Sequence, residues 1–267
     1  MKNIIKILCL LMGTCITLIA QENEKQKSIL FEAGLNYQTI LESRFTTNAN
    51  NYLGFYAGLN LETVKANRTT AIAFYFSKNI VSDRDFAYFK YNNWSARYTY
   101  LQRISSKPLK IGGYINQGNS LNFSTGSWSS NNRVSYTFWL GTGIAVQGTK
   151  TITVKNKNFV LDFAGSIPLL GYVIRPAHAH PYPESFLEDG TFDFTQKGMW
   201  KSFFTAGKWR TIDSFMNFKT KVGFVFPVGK KGNQLGVHYA WEYFHVGNDR
   251  PVWQVQHRLS FTYTIFK

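Results

Sequence analysis

Apolar residues alternate with other residues in this chain over nearly its whole length, with a strict period of two. One stretch carries Ile29, Phe31, Ala33, Leu35 and Tyr37 on one parity, with Leu30, Glu32, Gly34 and Asn36 on the other. The pattern returns at Leu53–Leu61, Ile72–Phe76, Trp94–Tyr100, Leu109–Ile115, Val134–Val146, Phe159–Phe163, Phe218–Phe226, Leu235–Tyr243 and Trp253–Ile265. A period of two puts alternate side chains on opposite faces of a strand. No segment of comparable length carries the 3.6-residue period of a helix. The chain therefore reads as all-β, with ten strands.

Alternation alone fits a soluble sandwich as well as a membrane barrel, and the second face separates them. It carries Gly, Ser, Thr, Tyr, Asn and Gln far more than Lys or Glu, whereas a water-facing sheet is normally rich in charge. Charged residues are only 17% of the 267, and aromatics are another 17%. This composition excludes a disordered chain and a coiled coil. Connections also alternate in length. The long ones are 39–51, 80–92, 118–131 and 168–216. Those at 63–69, 105–108, 148–157 and 229–233 are short. The connection 245–251 is short where the alternation asks for a long one. A second membrane hairpin inside 168–216, using residues such as 200–205, would raise the count to twelve.

The segment 1–20 reads as a secretory signal. Lys2 and Lys6 precede an apolar run, and Ala20 precedes the polar Gln21-Glu22-Asn23-Glu24. The apolar run is shorter than the roughly 20 residues a spanning helix needs. A lipidated Cys15 is the other reading, but Thr14 stands where a smaller residue is expected. Cleavage after Ala20 removes Cys9 and Cys15, the only cysteines, and leaves 28 basic residues against 15 acidic ones, a net of +13. Residues 21–27 read as a short lead-in, and 28–267 as one barrel domain with a single long outer loop.

The terminal segment Leu259-Ser260-Phe261-Thr262-Tyr263-Thr264-Ile265-Phe266-Lys267 resembles the last strand of bacterial outer-membrane β-barrel proteins, in the Bacteroidota style. That resemblance implies a transmembrane antiparallel up-and-down β-barrel in the outer membrane of a Gram-negative cell. It also implies recognition by the barrel-assembly machinery. Outer-membrane lipid and lipopolysaccharide are then the expected partners of Arg44, Lys78, Arg84, Lys90, Lys197, Lys201, Lys208 and Arg210, with another outer-membrane protein as a further one. The basic residues do not cluster with aromatics on one surface, so no nucleic acid is expected. No cofactor is expected either.

Parity places a sparse set of charges inside: Glu32, Arg97, Arg133, Asp162, Lys219, Lys221, His238, Glu242 and Arg258. Charges in a narrow interior must be paired, so Lys219 or Lys221, Glu242, Arg258 and Glu32 are expected to form a ladder across neighbouring strands. Such a ladder lines a pore or ligand cavity, or fills the barrel as a plug. In the proline-rich stretch 167–184, His178 and His180 share a parity and Glu184 follows. That is a weak metal-ligand pattern, set against a stiff cap whose histidines bond to loop carbonyls. His257 is the one titratable side chain on the lipid-facing parity, and no serine accompanies it on the neighbouring outward faces. The functional expectation is a binding, small-solute transport or structural role without catalysis. The alternatives are an enzyme acting on lipid or lipid A, and a non-transporting subunit of a larger outer-membrane complex.

Overall fold

The structure is a computed structural model. It describes residues 25–42, 49–65, 67–82, 89–104, 108–124, 134–154, 157–175, 207–228, 232–247 and 251–266. Among these residues eleven strands form: β1 (Gln26–Glu42), β2 (Asn50–Lys65), β3 (Arg68–Ser82), β4 (Phe89–Arg103), β5 (Leu109–Ser124), β6 (Val134–Val154), β7 (Lys157–Ile174), β8 (Lys208–Thr211), β9 (Phe215–Val228), β10 (Asn233–Val246) and β11 (Val252–Phe266). All but β8 are the ten strands that the alternation marks out. Each pairs antiparallel with its neighbour, and β1 pairs with β11 from Ser28↔Phe266 to Glu42↔Val252, which closes the ring. Closure leaves neither β1 nor β11 with a free edge.

The strands run well past the apolar stripes. β6 has 21 residues and takes in most of the expected turn at 148–157. Pairing needs only backbone donors and acceptors, so it continues where the side chains turn polar. Gln26 and Lys27, read above as lead-in, pair with Val64 and Thr63. Residues 1–24 lie outside the described residues.

The long connection 168–216 is a correction. β7 continues to Ile174, and β8 pairs with its outer part, Leu170↔Thr211 to Val173↔Lys208. β7 pairs directly with β9 and no second membrane hairpin is present among the described residues, so the ring they form has ten strands. Pro168 sits inside β7, where a proline cannot donate to the ladder. It is tolerated at a register shift in which Thr142 pairs with Leu170 and Gly143 with Pro168, leaving Leu169 over. A Cβ on Gly143 would lie 2.1 Å from the Ile167 carbonyl oxygen, so only glycine fits this close approach.

β9 takes over from β8 along β7, pairing Ser166↔Lys219 to Val160↔Val225. Between β8 and β9 the chain leaves the wall in a turn, held by Ser214 N donating to Thr211 O at 3.0 Å. The outer end of β9 joins β10 instead, with Phe215 opposite Val246. The wall is thus forked at this point, β8 lying on β7 and the start of β9 on β10.

Apolar side chains face outward. Phe31, Leu35, Ile72, Phe74, Val222, Phe224, Leu259 and Phe261 are all exposed, Phe261 by 65%. Along β11 the outward set runs from Trp253 to Tyr263. Those ten steps at roughly 3.3 Å each, tilted about 45°, span about 23 Å. Aromatic residues gather at both ends of this band: Tyr98, Tyr100 and Tyr263 near the short turns, and Tyr37, Trp94, Trp241, Tyr243 and Trp253 towards the long connections. Burial is inverted relative to a soluble barrel. Asn36, Gln38, Glu42, Glu242, Gln254, Gln256, Ser260 and Thr262 are buried inside.

Candidate functional site in the barrel lumen

The lumen has three levels. Nearest the long connections, Trp139, Val173, Phe215, Phe244, Val246 and Val252 form an apolar cluster, and Ile40, Tyr52 and Tyr91 form a second. The Trp139 and Phe244 ring centroids are 4.7 Å apart, and Phe215 meets Phe244 edge-on at 6.2 Å. The inward turn before β9 brings Phe215 here. Beside these clusters, Arg175 at the end of β7 reaches across the lumen and donates from Nη2 to Glu42 Oε1 on β1, with both side chains buried.

The middle level holds the charges. Glu242 on β10 accepts from Lys219 Nζ on β9 at 3.0 Å, from Arg258 Nη2 on β11 at 2.6 Å and from Asn217 Nδ2 at 3.0 Å. The Arg258 guanidinium also stands 4.7 Å from the ring centre of Tyr56. Glu32 on β1 accepts from Lys221 Nζ at 3.0 Å and from Ser260 Oγ at 2.5 Å. His238 Nε2 lies 3.1 Å from Asp162 Oδ1, and its Nδ1 lies 3.3 Å from Thr262 Oγ1. These distances follow from register. Glu242 is directly opposite Lys219, while Lys221 and Arg258 both flank Ala240, one residue pair away. Both lysines are used, Lys219 by Glu242 and Lys221 by Glu32. Arg97 stands apart, as its Nη1 donates to Ser166 Oγ on β7 at 3.1 Å and its Nε to Thr99 Oγ1 at 3.3 Å.

Below the charges, towards the short turns, lies a cavity of about 220 Å³. Its walls mix Glu32, Glu62, Arg97, Asp162, Lys219 and Lys221 with Ala73, Tyr75, Leu101 and Ala145. A smaller space of about 40 Å³ sits above, between Tyr56, Trp139, Glu242 and Phe244.

His178, His180, Glu184 and Arg133 lie outside the described residues. His257 faces outward on β11, and its Nδ1 is 2.6 Å from the hydroxyl of Tyr239. Sequence reasoning missed Glu42, Arg175, Asn217 and the aromatic cluster. Glu42 keeps the inward parity of Glu32, but the outward apolar stripe of β1 fades after Tyr37 and hides the continuation. Trp139 lies between Phe138 and Leu140, so three consecutive apolar residues conceal which of them points in.

No protein-family model matches the chain, and no curated protein matches it. Among solved structures it is similar to several barrels. The translocator domain of the autotransporter NalP from Neisseria meningitidis is 10% identical with a TM-score of 0.36, over 98% of this chain and 97% of that one. A Pseudomonas aeruginosa FadL homologue is 8% identical with a TM-score of 0.35, over 91% and 90%. Ail, the attachment invasion locus protein of Yersinia pestis, is 10% identical with a TM-score of 0.33, over 91% and 100%. No residue role passes to this chain from proteins so distant.

Proposed function

We propose that this protein is an outer-membrane β-barrel of a Gram-negative cell that binds a small solute inside a plugged lumen and performs no catalysis. One observation carries the reading. An exposed apolar band with aromatic rims encloses an interior of paired charges. Water solvates such an exterior poorly, and hydrocarbon solvates it well. A chain with polar groups inside and Phe, Leu and Ile outside is matched to lipid.

The aromatic cluster and the Glu42–Arg175 pair fill the loop end of the lumen, which favours binding over free diffusion. The cavity between the charges and the short turns is the space left for a solute, and it lies nearer the periplasm. Lys78 and Lys208 are exposed near the long connections, which supports contact with lipid phosphates at the outer leaflet.

The test uses the full-length protein expressed in a Gram-negative host. It should fractionate with outer membranes and migrate faster unheated than boiled. In a planar bilayer it should give no steady open-pore current. A folded soluble periplasmic pool would overturn the location, and a large constant conductance would overturn the plug.

A further inference from the structure

The cations lining the lower cavity are matched to carboxylates with one exception. Lys219 and Arg258 share Glu242, and Lys221 takes Glu32. His238 Nε2 lies 3.1 Å from Asp162 Oδ1, a buried oxygen that accepts no hydrogen bond among the described residues, and Glu62 has Lys110 as its neighbouring cation. Among the described residues Arg97 has no carboxylate within ion-pair distance. Its partners are two neutral hydroxyls, of Thr99 and Ser166, and the face of Tyr114, whose centre is 4.0 Å from the guanidinium carbon.

A guanidinium carries five N–H donors in a planar fork, shaped to grip a carboxylate through two of them. Two hydroxyls use one donor each. A cation kept away from bulk water without a counter-charge is costly, and a bound anion removes that cost. The surroundings narrow the anion further. Ala73 is directly opposite Arg97 on β3, and Leu101, Tyr114 and Ala145 form one buried apolar cluster beside it. Small and apolar side chains next to the unmatched guanidinium suit a ligand with one negative end and a compact apolar body.

We infer that the lower lumen is a binding site for a small organic monocarboxylate, with Arg97 holding the carboxylate and the Ala73–Leu101–Ala145 wall taking its apolar part. This rests on the reading of the lumen as a closed binding chamber, and it adds the charge and size of the occupant. Doubly charged inorganic anions lack the apolar body, and neutral analogues leave Arg97 unmatched.

The experiment is calorimetry on the detergent-solubilised, folded barrel, with benzoate as the probe and benzamide and inorganic phosphate as controls. Benzoate should bind one to one, and both controls at least tenfold more weakly. Arg97→Gln should abolish benzoate binding. Ala73→Leu, which fills the cavity without changing charge, should abolish it too, so the test survives if Arg97→Gln fails to fold. Equal binding of benzamide and benzoate would overturn the proposal. So would undiminished binding by a folded variant, or a folded wild-type barrel that ignores benzoate. Failure of the underlying reading shows differently, as a steady open-pore current in the bilayer.

Discussion

The ring of Phe215 rests on the backbone of Gly171, so closely that a Cβ on that glycine would lie 2.4 Å from the ring's Cδ1. Phe215 is 1% exposed and belongs to the cluster that fills the loop end of the lumen. The missing side chain on β7 is therefore what lets the inward turn before β9 seat its aromatic. Gly171→Ala should displace the ring and destabilise the barrel by about 1–3 kcal/mol, the usual range for overpacking. Urea titration followed by unheated gel migration checks it. An unchanged midpoint would mean that Phe215 has room to move.

Glu242 holds Lys219 and Arg258 together, and removing it leaves two cations facing each other inside the lumen. Glu242→Ala should cost about 3 kcal/mol or more, since breaking a buried pair strands its partner. Adding Lys219→Met to Glu242→Ala should restore part of the loss, because one stranded charge is removed. If the single variant unfolds at the wild-type urea concentration, water reaches these groups and the lumen is wetter than its packing indicates.

In the proposed plugged lumen the aromatic cluster forms the barrier at the loop end. Truncating Trp139 and Phe244 together to alanine removes the 4.7 Å ring contact and much of the filling around it. Ion current through a planar bilayer should rise from near zero to a measurable steady conductance. A current that stays flat would place the barrier at the charged level instead.

β7 and β8 hold their pairing through Leu170–Val173 and Lys208–Thr211, on either side of residues 176–206. Replacing 177–205 by a short Gly-Ser linker should therefore leave a barrel that assembles and shifts on unheated gels. A deleted form that fails to assemble would make that segment part of the wall and reopen the twelve-strand count.

The fold was legible because lipid-facing strands write their orientation directly into the sequence. Phe31, Ala33, Leu35 and Tyr37 on β1 and Leu259, Phe261 and Tyr263 on β11 must all be apolar, so parity alone marks wall and interior. Strand length was less legible, since pairing beyond the apolar band depends on the backbone and leaves no side-chain signature in β6. The inward charges could be placed by parity, but their partners could not. Whether Lys219 or Lys221 meets Glu242 depends on the register of β9 against β10, which the short connection between them sets. Phe215 was harder still, because the turn that aims it inward has no alternation to read.

The pairing of Ser28 with Phe266 joins the beginning of the barrel to its end. During synthesis β1 is made first, and the strand that completes its second edge is made last. Until then β1 offers a row of free amides and carbonyls, which are templates for pairing with another chain. Contacts so far apart in sequence also form slowly. Without that pairing the wall is an open sheet with two sticky edges, and joining β1 to β11 removes both at once.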